Sequence, residues 1–225
     1  MTRNVGKSTV SRYLAEKEGL PIVDADLIAR QVVEPGRTAY KKIVKAFGRG
    51  ILNDDDAKTI NRAKLGEIIF ADPAKRKILN ACTHPAVRWE MLRQVILWWI
   101  KGAKMCVLDV PLLIESGIHK WVNVVVVVFA SEQLQLQRIT LRDNLPRTQA
   151  LQRIHAQMPL KEKAEQAQYV IDNSGDLEET YRQVRDIVKK TKPSTPRWLL
   201  EWLGGPLLIG LMSAWLATGE GARWK

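Results

Sequence analysis

Residues 124–128 are five valines in succession, and that run limits what the chain can fold into. A strand with one wet face alternates apolar and polar residues, whereas a continuous β-branched run belongs to a strand covered on both faces of a parallel sheet. The reading is a buried strand from Val122 to Phe129. Pro21-Ile22-Val23, Met105-Cys106-Val107-Leu108-Asp109 and Tyr169-Val170-Ile171-Asp172 are shorter runs of the same kind. Between them the apolar period changes to that of helices. Thr9 to Glu18 carries Val10, Tyr13 and Leu14 on one face, with Gly19 as its stop. Leu27 to Val33, Ala39 to Phe47, Glu132 to Arg142, Arg147 to Gln157 and Leu177 to Lys190 also read as helices. Arg62 to about Ile100 is helical almost throughout, with breaks expected at Asp72-Pro73 and His84-Pro85.

Strands alternating with helices predict an α/β fold with a doubly wound parallel sheet. The stretch from Arg62 to Ile100 is too long for a simple crossover, so it is expected to form an inserted helical substrate-binding subdomain. At 225 residues the chain can hold one such domain and a tail. Cys82 and Cys106 show no CxxC spacing and no histidine cluster nearby, which predicts reduced, buried core residues rather than a metal or redox site. The net charge of +11 favours polyanionic partners. The stretch 189–225 holds six basic and two acidic residues, so the body is only moderately basic. With no nucleic-acid-binding module in the sequence, no nucleic-acid partner is assigned. No apolar leader precedes the first motif.

That motif is Gly6-Lys7-Ser8-Thr9, followed at once by a helix. It matches the second half of the phosphate-binding pattern G-x-x-x-x-G-K-[ST]. Its glycine lets the backbone turn so that N–H groups and the helix N-terminus face phosphate oxygens. Lys7 is expected to reach the β- and γ-phosphates and the Ser8 hydroxyl to hold Mg²⁺. Asn4 and Val5 complete the part of the loop that is present. The first glycine of the pattern would fall at position 1, where Met1 stands, and no strand precedes it. Two readings follow: a truncated or alternative start, or a chain that lacks a central strand and binds nucleotide poorly.

Asp24 and Asp26 lie where a strand ends, the edge of an open α/β sheet at which ligands bind. A carboxylate there can orient an attacking hydroxyl or accept its proton, and Asp26 is preferred for that role. The alternative is that one of the pair caps the helix that follows. Asp109 ends another strand and resembles the acid that meets Mg²⁺ beside a phosphate loop, with a solvated loop carboxylate as the bland reading. Arg138 and Arg142 share a helix face, with Arg147 and Arg153 close behind. Such arginines can neutralise a transferring phosphoryl group, or form only a solvated basic surface.

Taken in order, the segments Gly6-Lys7-Ser8-Thr9-Val10, Asp24-Ala25-Asp26-Leu27-Ile28-Ala29-Arg30, Val33-Glu34-Pro35-Gly36, His84-Pro85, Pro111-Leu112-Leu113-Ile114-Glu115, Arg138 with Arg142-Asp143, Arg153 with Gln157-Met158-Pro159, and Val170-Ile171-Asp172-Asn173 resemble the dephospho-coenzyme A kinases. They cover roughly positions 1–190. The resemblance implies a P-loop NTPase-type parallel sheet flanked by helices, with a helical acceptor-binding insertion at about 58–102 and a lid at about 136–163. It implies transfer of the γ-phosphate of ATP, with Mg²⁺, to the ribose 3′-hydroxyl of dephospho-CoA. It casts Asp26 as the base or orienting carboxylate, Lys7, Arg138 and Arg142 as catalytic, and Asn173 as an adenine neighbour. Asp24, Asp26, Arg30, His84, Pro111, Leu112 and Arg153 would bind the acceptor. Asp54-Asp55-Asp56-Ala57 stands where the family carries Asp-Gly, and Gln166-Ala167-Gln168-Tyr169 lacks a family aspartate. Two rival readings are a nucleoside or nucleotide kinase of the same fold and a tethered scaffold with little turnover.

The segment 191–225 reads as a linker, Pro193-Ser194-Thr195-Pro196, and then a hydrophobic tail. From Trp198 to Ala217 about 20 residues carry one charge, Glu201, near the length that spans a bilayer. Trp198, Trp202 and Trp215 suit an interfacial belt. A membrane anchor is expected, the kinase facing the cytosol on a mitochondrial or endoplasmic reticulum surface. The other reading is a helix docked on the body or on a partner, in a soluble cytoplasmic protein.

Overall fold

The computed structural model describes residues 6–195 and Trp198. Among the described residues the first element is helix α1 (Lys7–Glu16), which no strand precedes. Strand β1 (Ile22–Asp24) leads into α2 (Ala25–Gln31), α3 (Thr38–Phe47), α4 (Arg62–Ala71) and α5 (Pro73–Ile100), and then β2 (Val107–Asp109). Strand β3 (Val126–Phe129) is followed by α6 (Glu132–Asp143), α7 (Arg147–His155) and α8 (Leu160–Glu165), then β4 (Tyr169–Asp172) and α9 (Leu177–Thr191). Among the described residues the four strands pair in parallel, as expected, but they form two ribbons rather than one sheet. β1 pairs with β2 and β3 with β4. Residues of both ribbons line a single cavity of about 890 Å³ that also touches Lys7 and Val10.

The valine run is shorter as a strand than its sequence implies. Val125 donates its N–H to the Gln168 side chain at 2.6 Å, so a side chain replaces one ladder partner ahead of β3. Val125 and Val127 pack with Ile114, while Val128 packs with Val10, Ile171 and Val184. Successive side chains thus serve two different cores. Val124 is half-buried, and Val126 is 38% exposed and lines the cavity.

Around the first ribbon, Val23, Ile28, Ala39 and Met91 form one core, and Ile43, Ile51 and Leu65 another between α3 and α4. Helix α5 packs against α2, α3 and α4. Its Asp72 cap accepts the N–H groups of Ala74 and Lys75, and Pro73 opens the helix, so this break lies where expected. Pro85 behaves differently. The helix runs straight through it, because the neighbours on three helices hold α5 although the proline removes one hydrogen bond. The cysteines are also less enclosed than expected: both are free thiols, half-buried, and burial pushes the Cys106 thiol up. No helix among the described residues is long and apolar enough to cross a membrane. The expected anchor, past Trp198, lies outside them.

Candidate functional site

Helix α1 begins because Gly6 adopts a left-handed conformation, φ 85°, which costs glycine little and other residues more. A Cβ built on Gly6 would stand 2.0 Å from the Asn173 side-chain nitrogen, so only glycine fits against that amide. Asn173 is buried just past β4. Its N–H donates to the Phe129 carbonyl at 2.9 Å, and its side-chain oxygen accepts from Thr180 Oγ1 at 3.0 Å. Its own carbonyl accepts from Arg138 Nη2 at 3.0 Å. The other guanidinium nitrogen, Nη1, is buried without a hydrogen-bond partner among the described residues. A donor is therefore left for an anion at the end of the second ribbon.

The first ribbon supplies the acids. Asp24 and Asp109 are register partners at the C-terminal ends of β1 and β2. Asp109 accepts from the Lys7 ammonium and, at 2.7 Å, from the Ser11 hydroxyl. Lys7 and Ser11 lie four apart and so share one face of α1. Asp24 caps α2, accepting from the N–H of Asp26 at 2.8 Å and of Leu27 at 3.0 Å. The capping alternative is thus realised by Asp24, and Asp26 sits in the first turn with its carboxyl off that duty. Ser8 is exposed at the N-terminus of α1 and Thr9 half-buried beside it.

At the end of α6, Arg142 grips Asp143 with two bonds, Nε to Oδ1 at 2.7 Å and Nη2 to Oδ2 at 2.8 Å. Arg153 adds a third, Nη1 to Oδ2 at 2.9 Å. The Arg142 guanidinium holds the Asp143 carboxyl below its ordinary range, with help from Arg153. Helices α6 and α7 enclose Leu136, Ile139 and Ala150 as a small core of their own.

The remaining expected residues lie apart from these groups. Arg30 lines a cavity of about 390 Å³ with Glu34, Pro35 and Asn61. His84 is exposed on α5, Leu112 is exposed, and Pro111 lines the larger cavity. Asn4 and Val5 lie outside the described residues. Sequence reasoning missed Ser11, which its spacing from Lys7 could have revealed. It also missed Lys163, a buried lysine of α8 whose Nζ meets Glu115 at 2.6 Å. No local pattern joins positions so far apart.

The dephospho-CoA kinase family model matches residues 3–179. A dephospho-CoA kinase of Shouchella clausii is 52% identical over 186 residues, 83% of this chain and 93% of its own. A dephospho-CoA kinase domain-containing protein of Danio rerio is 44% identical over 95% of this chain and 92% of its own. The solved structure of a dephospho-CoA kinase from Campylobacter jejuni superposes with a TM-score of 0.63 at 29% identity, covering 83% of this chain and 92% of that one.

Proposed function

Because this chain belongs to the dephospho-CoA kinase family, we propose that it transfers the γ-phosphate of ATP to the ribose 3′-hydroxyl of dephospho-CoA, completing coenzyme A. The observation that carries this reading is the clasp at the head of α1. Lys7 is drawn to Asp109 on one ribbon while Gly6 lies against Asn173 on the other. Helix N-terminus, lysine and strand-end acids thereby converge on one edge, where a polyphosphate is best received.

In the reaction, the 3′-oxygen forms a bond to the γ-phosphorus. The bond from that phosphorus to the β–γ bridging oxygen breaks, and ADP leaves. Asp26, free of the capping that occupies Asp24, orients the hydroxyl and takes its proton. Lys7 shifts from Asp109 to the β- and γ-phosphate oxygens. Arg138 offers its spare N–H groups near Asn173, on the adenine side. Arg142, aimed by Asp143, brings positive charge to the transferring group as the lid comes down. The helical stretch of about 58–102, with Arg30 and His84, receives the acceptor together with Pro111, Leu112 and Arg153.

The Ser8 hydroxyl and the Asp109 carboxylate are hard oxygen donors of the kind Mg²⁺ takes from proteins when phosphates and water fill its other positions. The residues fit the ion, and Ser8 with Asp109 would hold it. When bound, it neutralises charge on the phosphate oxygens.

A coupled ADP-release assay with dephospho-CoA tests the proposal. It is run on this chain and on a form extended by an apolar strand and the first loop glycine. Turnover in either form that is abolished by Asp26→Asn supports it. Two correctly folded forms without turnover would overturn it.

A further inference from the structure

Helix α5 has two apolar sides, and among the described residues one is packed against the core while the other is exposed. Met91, Val95 and Trp98 face the core around Val23 and Ile28. Trp89, Leu92, Ile96 and Ile100 are 68%, 49%, 43% and 58% exposed. Spaced three, four and four apart, they form one stripe on the helix. It runs about 16 Å along the axis at 1.5 Å per residue. A strip of large apolar side chains of this length is not an ordinary scatter of surface residues.

The stripe ends where the chain leaves for its tail. The Trp198 ring lies 3.8 Å from where a Cβ on Gly102 would stand, and Gly102 is two residues beyond Ile100. Lys104 fastens the same spot. Its Nζ donates to Thr195 Oγ1 at 2.8 Å and sits 5.7 Å from the centre of the Trp198 ring, within cation–π range. From this root the sequence continues as Leu199–Ala217, with one charge, Glu201, and a leucine-rich run from Leu207 to Ala217. As a helix those last eleven residues extend about 16 Å, the length of the stripe. Gly204-Gly205-Pro206, a sequence that favours a turn, precedes them. Lys101 is exposed at the near end of the stripe, where it can meet Glu201 three residues past the root.

We propose that the segment Leu199–Ala217 folds back on this chain's own α5 and covers the stripe formed by Trp89, Leu92, Ile96 and Ile100. The tail then acts as an internal brace on the acceptor-side helix. This inference is independent of the catalytic reading.

Hydroxyl-radical footprinting of the full chain tests it, with oxidation of Trp89 read against Trp121, which is 88% exposed. The comparison is with full-length Leu208→Asp/Leu211→Asp, whose tail should lose its apolar face. The expected result is a Trp89-to-Trp121 oxidation ratio severalfold lower in the parent chain than in the variant, both measured without lipid. Ile96→Asp in an otherwise unchanged chain should raise the ratio to the same level. Equal ratios in all three would overturn the proposal. Flotation of the parent with phosphatidylcholine–phosphatidylserine vesicles, with Trp89 equally oxidised in parent and variant, would assign the tail to a bilayer and overturn it too.

Discussion

The two ribbons are built from similar parts and used differently. The β1–β2 ribbon ends in paired acids, Asp24 and Asp109, each already engaged by a donor. The β3–β4 ribbon ends in a buried amide, Asn173, whose donors and acceptors are tied to Phe129, Thr180 and Arg138. Helix α1 spans the difference. Its apolar residue Val10 sinks into the core of the second ribbon, while Lys7 and Ser11 reach the acid of the first. The proposed phosphate site depends on both ribbons staying in register with one helix. Helix α8 supplies a second tie, since its Lys163 is paired with Glu115 beyond β2.

The comparison breaks most sharply at Lys7. Lys7→Ala removes both the phosphate-seeking ammonium and the partner of Asp109. A loss of about 10²–10³ in kcat/KM is expected, the scale of deleting one preorganised electrostatic contact to a transition state. Steady-state ADP release measures it. A variant within tenfold of the parent would remove Lys7 from the machinery.

Lys163→Met should act on stability instead. It strands the Glu115 carboxylate, 23% exposed at its side chain, and breaking a pair this enclosed costs about 3 kcal/mol. Urea unfolding should show that loss, and Glu115→Gln/Lys163→Met should regain most of it. If the double variant is as unstable as the single one, the tie between α8 and the first ribbon carries no energy.

Gly6→Ala tests the other side of the clasp. The left-handed conformation costs alanine about 1–2 kcal/mol, and the new methyl meets the Asn173 amide. Nucleotide affinity should fall, as read by calorimetry. Gly6→Ala/Asn173→Gly should recover part of it, because the clash goes while the backbone strain stays. Full recovery would show that crowding was the whole effect.

These contrasts also mark what sequence could carry. The head of α1, the valine run and the parallel pairing were legible, because each rests on residue types within a few positions of one another. The cap of α2 was narrowed to Asp24 or Asp26, and only the hydrogen bonds at α2 assign it to Asp24. Pro85 misled, because a proline breaks a helix only where neighbours do not hold it, and α2, α3 and α4 are distant in sequence. The division into two ribbons and the Lys163–Glu115 tie were illegible for the same reason: both depend on which strands and loops meet in space.

The smallest effect lies far from the clasp, on α5. The Glu90 carboxylate accepts from Arg93 Nε and Nη2, both at 2.7 Å, and from Gln94 at 3.0 Å. Chiefly through Arg93, its pKa falls from 4.5 to about 2. A carboxyl with a depressed folded pKa is bound to fewer protons when folded, so its contribution is complete above pH 4.5 and drains away as pH falls toward 2. Because Arg93 is half in solvent, that contribution is small and screened by salt. Glu90→Gln should therefore lower the melting temperature slightly at pH 6 and leave it equal to the parent near pH 2. Added salt should narrow the gap at pH 6. A gap that persists unchanged at low pH would show that Glu90 acts through packing rather than through its charge.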